Sequence, residues 1–257
     1  MRPSRSSALA LAAAAALSAA LPVRADEGAG PDLRADEWRA AGITVGALVL
    51  DGVLAAKWKP TDCKICSSNT LDEKTRDALM WSDPKPAQRA SDVLANVAIP
   101  LLAGADAIRS TSTWGNAGRD VLVVAEAASL STFATEFAKN GFARLRPGLP
   151  ARPGQSADAY QSLWSGHTQL AFSIAVSQAM QDSMRGDEAA PWIWAVGLTL
   201  ASAVGYFRIA GDEHWLTDVL AGAAVGSAFG VGIPLAEKRL VHGVTLAPAP
   251  GGIALHF

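Results

Sequence analysis

The chain has 257 residues, half of them hydrophobic, and 22 Lys and Arg set against 24 Asp and Glu give a formal net charge of −2. That length suits one domain with a single core. The slightly acidic balance argues against nucleic acid as a partner, and the abundance of Ala and Gly favours closely packed helices.

The opening residues, MRPSRSSALALAAAAALSAALPVRADEG, have the layout of a secretory leader. Arg2 and Arg5 form a charged start, residues 8–21 an apolar run too short to span a bilayer comfortably, and VRA ending at Ala25 a small-residue cleavage site. An uncleaved anchor is the alternative. Cleavage would remove Arg2, Arg5 and Arg24, leaving 19 basic and 24 acidic residues and a net charge of −5.

Six helices are expected, over residues 37–58, 90–108, 117–140, 165–184, 190–210 and 214–237, in an all-α bundle. Residues 59–88 read as a loop. They carry Cys63 and Cys66, for which a local disulfide in an oxidising compartment is the first reading. A redox C-x-x-C would sit at a helix start in a βαβ pattern, and a zinc site would need two further ligands; neither context is present nearby. Residues 145–164 hold three prolines and two glycines and read as irregular. The tail, 241–257, is turn-rich, with room for two short extended pieces around PGG. The leader at 1–25, a helical domain at 26–240 and the tail make up the expected organisation.

Three clusters carry the chemistry. His214 and Asp218 are four apart, so in a helix they share a face, and the carboxylate can take the Nδ1 proton and leave Nε2 free. Ser165, Gly166 and His167 stand at a helix start, where Ser caps, Gly admits close approach, and backbone N–H groups suit an anion. Lys139, Arg146 and Arg208 supply three cations, two of them planar forks fitted to phosphate. His242 and His256 match no pattern, and no metal-ligand cluster is evident.

The order K-x6-R-P, S-G-H, R-x5-H-x3-D resembles the three-part signature of the type 2 phosphatidic acid phosphatase (PAP2) and vanadium haloperoxidase superfamily. The likeness covers roughly residues 90–235. It implies that Lys139, Arg146, Arg208, Ser165 and Gly166 bind phosphate, that His214 attacks phosphorus, that Asp218 orients His214, and that His167 protonates the leaving alcohol. Two positions depart from the pattern: Trp164 replaces the usual Pro, and Phe207 the usual Ser.

The resemblance implies a phosphatase acting on a lipid phosphate or a small soluble phosphate, without a cofactor. Alternatives are a haloperoxidase holding vanadate on His214 and a non-catalytic anion-binding protein. Charges inside the second, third and fourth helices argue against spanning, whereas the first and fifth are apolar enough for it. With either a cleaved leader or an anchor, a six-span arrangement would put the site on the cytoplasmic side. The expectation is therefore a periplasmic domain, with peripheral membrane contact through the first helix or the tail.

Overall fold

The computed structural model describes residues 31–111, 113–152, 154–242, 245–249 and 252–256. The expected leader lies outside them. Among the described residues are seven helices: α1 (Pro31–Lys57), α2 (Thr70–Leu79), α3 (Lys85–Ser110), α4 (Trp114–Phe142), α5 (Gly166–Arg185), α6 (Ala190–Ala210) and α7 (Leu216–His242). A hairpin of β1 (Thr245–Ala249) and β2 (Gly252–His256) follows.

The expected helical architecture is present, with one helix more than the six anticipated. The addition is α2, inside the stretch read as loop. It is capped at its start by the Asn69 side chain, which accepts from the Asp72 N–H, and it carries Asp72 and Glu73 in its first turn. Its polar composition hid it, since only ten residues are involved and few are apolar. α3 is one continuous helix that passes through a π turn at Leu94–Ala98. There Ile99 donates to the Leu94 carbonyl, immediately before Pro100, which has no N–H to give.

α5 lies at the centre and touches α3, α4, α6 and α7. The core around it is built from small and branched residues, among them Ala95, Ile99, Ala171, Ile174, Ala175, Ala201 and Val204. Its closest neighbour is α7. Gly222, Gly226 and Gly230 recur at every fourth residue along that contact, and a Cβ on Gly222 would lie 2.7 Å from the Ser165 carbonyl oxygen. Bare glycines therefore bring the two backbones together, as in helix pairs packed through small residues.

The helices alternate in direction, so one end of the bundle gathers the C-termini of α1, α4 and α6 and the N-termini of α3, α5 and α7. All three sequence clusters lie there. Cys63 and Cys66 are bonded at this end. The loop they close pairs with the chain leaving α4, through Lys64 N–H to Ala143 O (2.9 Å) and Leu145 N–H to Ile65 O (3.0 Å).

Five helices, α1, α3, α4, α6 and α7, are long and apolar enough to cross a membrane. This corrects the reading of the second and third expected helices, here α3 and α4, as unable to span. Two of their internal charges turn inward, Asp106 and Glu126, and Asp92 pairs with His167, while Val93, Val97 and Leu101 of α3 stand exposed in a row. A count of charges along the sequence does not record which side of the helix they occupy.

Candidate active site

The chain leaves α4 through Ala143, whose left-handed φ of 44° ends the helix. That turn sends Arg144 and Arg146 back into the protein, where both are buried. Lys139, in the last turn of α4, approaches the start of α5. Its Nζ is 3.3 Å from where a Cβ on Gly166 would sit, so a glycine there leaves room for the ammonium. Ser165 caps α5, its Oγ accepting from the Thr168 N–H, as expected, and its own N–H donates to Asp218 O at 3.0 Å.

His214 lies two residues before α7 and not on it, which overturns the premise of a shared helix face. Its Nδ1 is 2.8 Å from the Ser162 carbonyl, whereas the nearest oxygen of Asp218 is 3.8 Å away, beyond a hydrogen bond. A carbonyl can only accept, so Nδ1 carries the proton and Nε2 the lone pair. Asp218 works one step back. It accepts from Ser162 Oγ (2.6 Å), the Trp215 N–H (3.0 Å) and Arg144 Nη1 (2.5 Å).

Arg144 was absent from the expected set, as were Ser162 and Asp72. Arg144 Nη2 donates to Asp72 Oδ2 at 2.7 Å, and Asp72 also accepts from the Thr217 N–H (2.9 Å) and hydroxyl (2.8 Å). A buried Asp72–Arg144–Asp218 chain thus ties α2 to the loop that carries His214. The first Arg of FARLRP, two residues before Arg146, was a visible signal for Arg144. Asp72 had none, because its partners are distant in sequence.

Arg146 and Arg208 are held by acidic side chains. Arg146 donates to Asp158 O and Oδ1, both at 2.9 Å, and to Glu213 Oε2 at 2.6 Å. Arg208 reaches the same Glu213 oxygen at 3.1 Å and Ser91 Oγ at 3.3 Å, while its buried Nε has no partner. His167 Nε2 lies 2.9 Å from Asp92 Oδ1. Of the two acids flanking His214, Asp212 instead pairs with Arg76, at 2.6 and 2.9 Å.

The two departures from the pattern find partners of their own. The Trp164 indole donates to Thr135 Oγ1 at 2.6 Å, and Phe207 stands edge-on to Trp81 at 5.9 Å. Burial holds the His214 pKa well below its ordinary value of 6.5, and the charges of Arg146, Arg208 and Lys139 push the same way. The arrangement therefore offers a neutral imidazole with a free Nε2, three cations, and a helix start.

Residues 120–241 match the family profile described as the PAP2 superfamily. Over 92 residues, 36% of this chain, the sequence is 40% identical to a lipid A 1-phosphatase of Porphyromonas gingivalis, and the match spans 18% of that protein's length. Among solved structures, the chain is similar to the transmembrane PAP2-type phosphatidylglycerolphosphate phosphatase of Bacillus subtilis. The identity there is 17% and the TM-score 0.49, over 81% of this chain and 98% of that one.

Proposed function

Starting from a chain that belongs, through residues 120–241, to the PAP2 superfamily, we propose that it is a membrane-embedded phosphatase that removes a phosphomonoester from a lipid. The observation that carries this is the Ser162 carbonyl on His214 Nδ1, which leaves Nε2 as a nucleophile beside three cations. The activity of the similar lipid A 1-phosphatase supports the substrate class. So do the exposed apolar rows, Val45, Val49 and Val53 on α1 and Val93, Val97 and Leu101 on α3.

In the first step Nε2 of His214 attacks phosphorus and the P–O bond to the alcohol breaks. Arg146, Arg208, Lys139 and the α5 N-terminus neutralise the charge on the phosphoryl oxygens. His167 gives a proton to the departing alkoxide. In the second step His167 takes a proton from water, which attacks the phosphohistidine and releases inorganic phosphate and neutral His214. His167 must be protonated to act first; burial lowers its pKa, and Asp92, 2.9 Å away, opposes that by favouring the protonated form.

The test is turnover of a lipid phosphomonoester in detergent micelles, with rapid acid or alkali quench of labelled substrate. Label that survives alkali and is lost in acid, on wild type but not on His214→Ala, is the expected result. Turnover by His214→Ala at the wild-type rate would overturn the assignment.

A further inference from the structure

Glu213, immediately before His214, places a single carboxylate oxygen between the two guanidinium groups assigned to phosphate. Oε2 accepts from Arg146 Nη1 at 2.6 Å and from Arg208 Nη2 at 3.1 Å. A phosphoryl oxygen bound by the same arginines would take those same two donors. A phosphoryl oxygen cannot occupy the position that Oε2 fills, and a second anion beside it would add repulsion at the same two donors.

We propose that the Glu213 carboxylate is a built-in competitor, which substrate must displace before its phosphate can bind. The inference rests on the phosphatase reading and concerns the affinity of that site. Three features support displacement over a fixed structural pair. First, the backbone here is anchored independently of the carboxylate: Arg146 Nη1 also holds the Glu213 carbonyl at 3.0 Å, Arg76 clamps Asp212, and the Ser162 carbonyl holds His214. The side chain can rotate away while His214 stays in place. Second, both arginines keep partners when the carboxylate leaves, Arg146 on Asp158 and Arg208 on Ser91. Third, the Glu213 side chain is 27% exposed, so it has solvent to move into, while the buried Arg208 Nε lacks the acceptor that a tetrahedral oxyanion with several oxygens can supply.

The consequence is quantitative. If the site is competent only while Glu213 is out, every anion binds with its intrinsic affinity reduced by the same fraction. Removing the carboxylate should therefore strengthen substrate, product and inhibitor binding by one common factor. The same competition speeds release of inorganic phosphate, since Glu213 returns as product leaves.

The experiment compares wild type, Glu213→Gln and Glu213→Ala as purified full chains in detergent. The dissociation constants of inorganic phosphate and orthovanadate are measured by calorimetry, and the phosphate-induced rise in Tm is recorded for each protein. Both constants are expected to fall together, by about tenfold or more, on loss of one charge-assisted contact. The phosphate-induced Tm rise should grow in parallel, which also reads out a variant of low basal stability. Binding in both variants that is equal to or weaker than wild type, including none, would overturn the proposal and make Glu213 an organiser of the arginines. Because these readings need no turnover, they stand apart from the phosphatase assignment, which fails if wild type binds phosphate and leaves lipid phosphomonoesters intact.

Discussion

His214 is the residue on which the chemistry turns, and its surroundings fix both its tautomer and its charge. Its contact to a carbonyl instead of a carboxylate makes Ser162 a positioning residue, with the Ser162 hydroxyl bound to Asp218 holding that carbonyl in place. Ser162→Ala should lower kcat by about 10- to 100-fold and leave KM nearly unchanged, as for other residues that orient a ligating or reacting imidazole. Steady-state kinetics on the folded variant checks this, and a change confined to KM would contradict it. The pH dependence has a defined sign. The folded pKa of His214 lies well below 6.5, so the unfolded chain takes up a proton that the folded chain refuses. The stability contributed by this group is complete above 6.5 and is lost as pH falls through the window from there to the folded pKa. Thermal melts between about pH 8 and about pH 5 should show a shallower decline in His214→Gln than in wild type. Identical slopes would mean that the imidazole is not held neutral. At this scale the sequence was most informative, because Lys139, Arg146, Ser165, Gly166, His167, Arg208, His214 and Asp218 fall in three short segments with recognisable spacing. Ser162, Ser91, Asp72 and Asp92 serve the same residues from elsewhere, and nothing local distinguishes them.

At the scale of elements, the bundle depends on how closely α7 approaches α5, since that contact sets the distance between His214 and the α5 start. The Ser165 N–H donates to Asp218 O at 3.0 Å directly across it. Gly222, Gly226 and Gly230 make the approach possible, and a Cβ on Gly230 would already lie 2.8 Å from the Val176 Cβ. Gly226→Leu should separate the two helices, because the atom it meets first is the backbone carbonyl of Gln169, which cannot rotate aside. The expected outcome is a loss of about 3 kcal/mol or more in stability and of most turnover, measured by thermal melts in detergent and by activity of the surviving folded fraction. A variant with unchanged Tm would show that α7 is not seated on α5 in this way. The Gly spacing was present in the sequence, yet its meaning depends on the partner helix, which the sequence does not specify. The helices themselves were legible from long apolar runs ended by Gly or Pro. Helix α2 was not, because its stability comes from a cap and from the buried Asp72–Arg144 contact instead of an apolar face.

For the whole molecule the deciding property is which surface faces lipid and which end faces which compartment. The outer rows of Val and Leu would sit exposed in water, whereas the buried carboxylates of α3 and α4 need the bundle interior. Both conditions are met when a bilayer surrounds the helices. The 29 residues of α4 cover the hydrocarbon thickness of about 30 Å with length to spare. The end that carries the site also carries the Cys63–Cys66 bond, and disulfides persist on the oxidising side of a membrane. The site should therefore open to that side, with the loop between α5 and α6 on the other; α1 then enters from the reducing side, against the orientation expected from a cleaved leader or an anchor. Lys74 on α2 and Glu188 in that loop are both exposed, and they mark the two ends. In intact cells a membrane-impermeant maleimide should label Lys74→Cys, and should reach Glu188→Cys only after permeabilisation. The protein should also stay in the membrane fraction through an alkaline carbonate wash and leave it with detergent. Labelling in the reverse order would place the site on the reducing side, and release by carbonate would return the molecule to the peripheral attachment that its sequence first suggested.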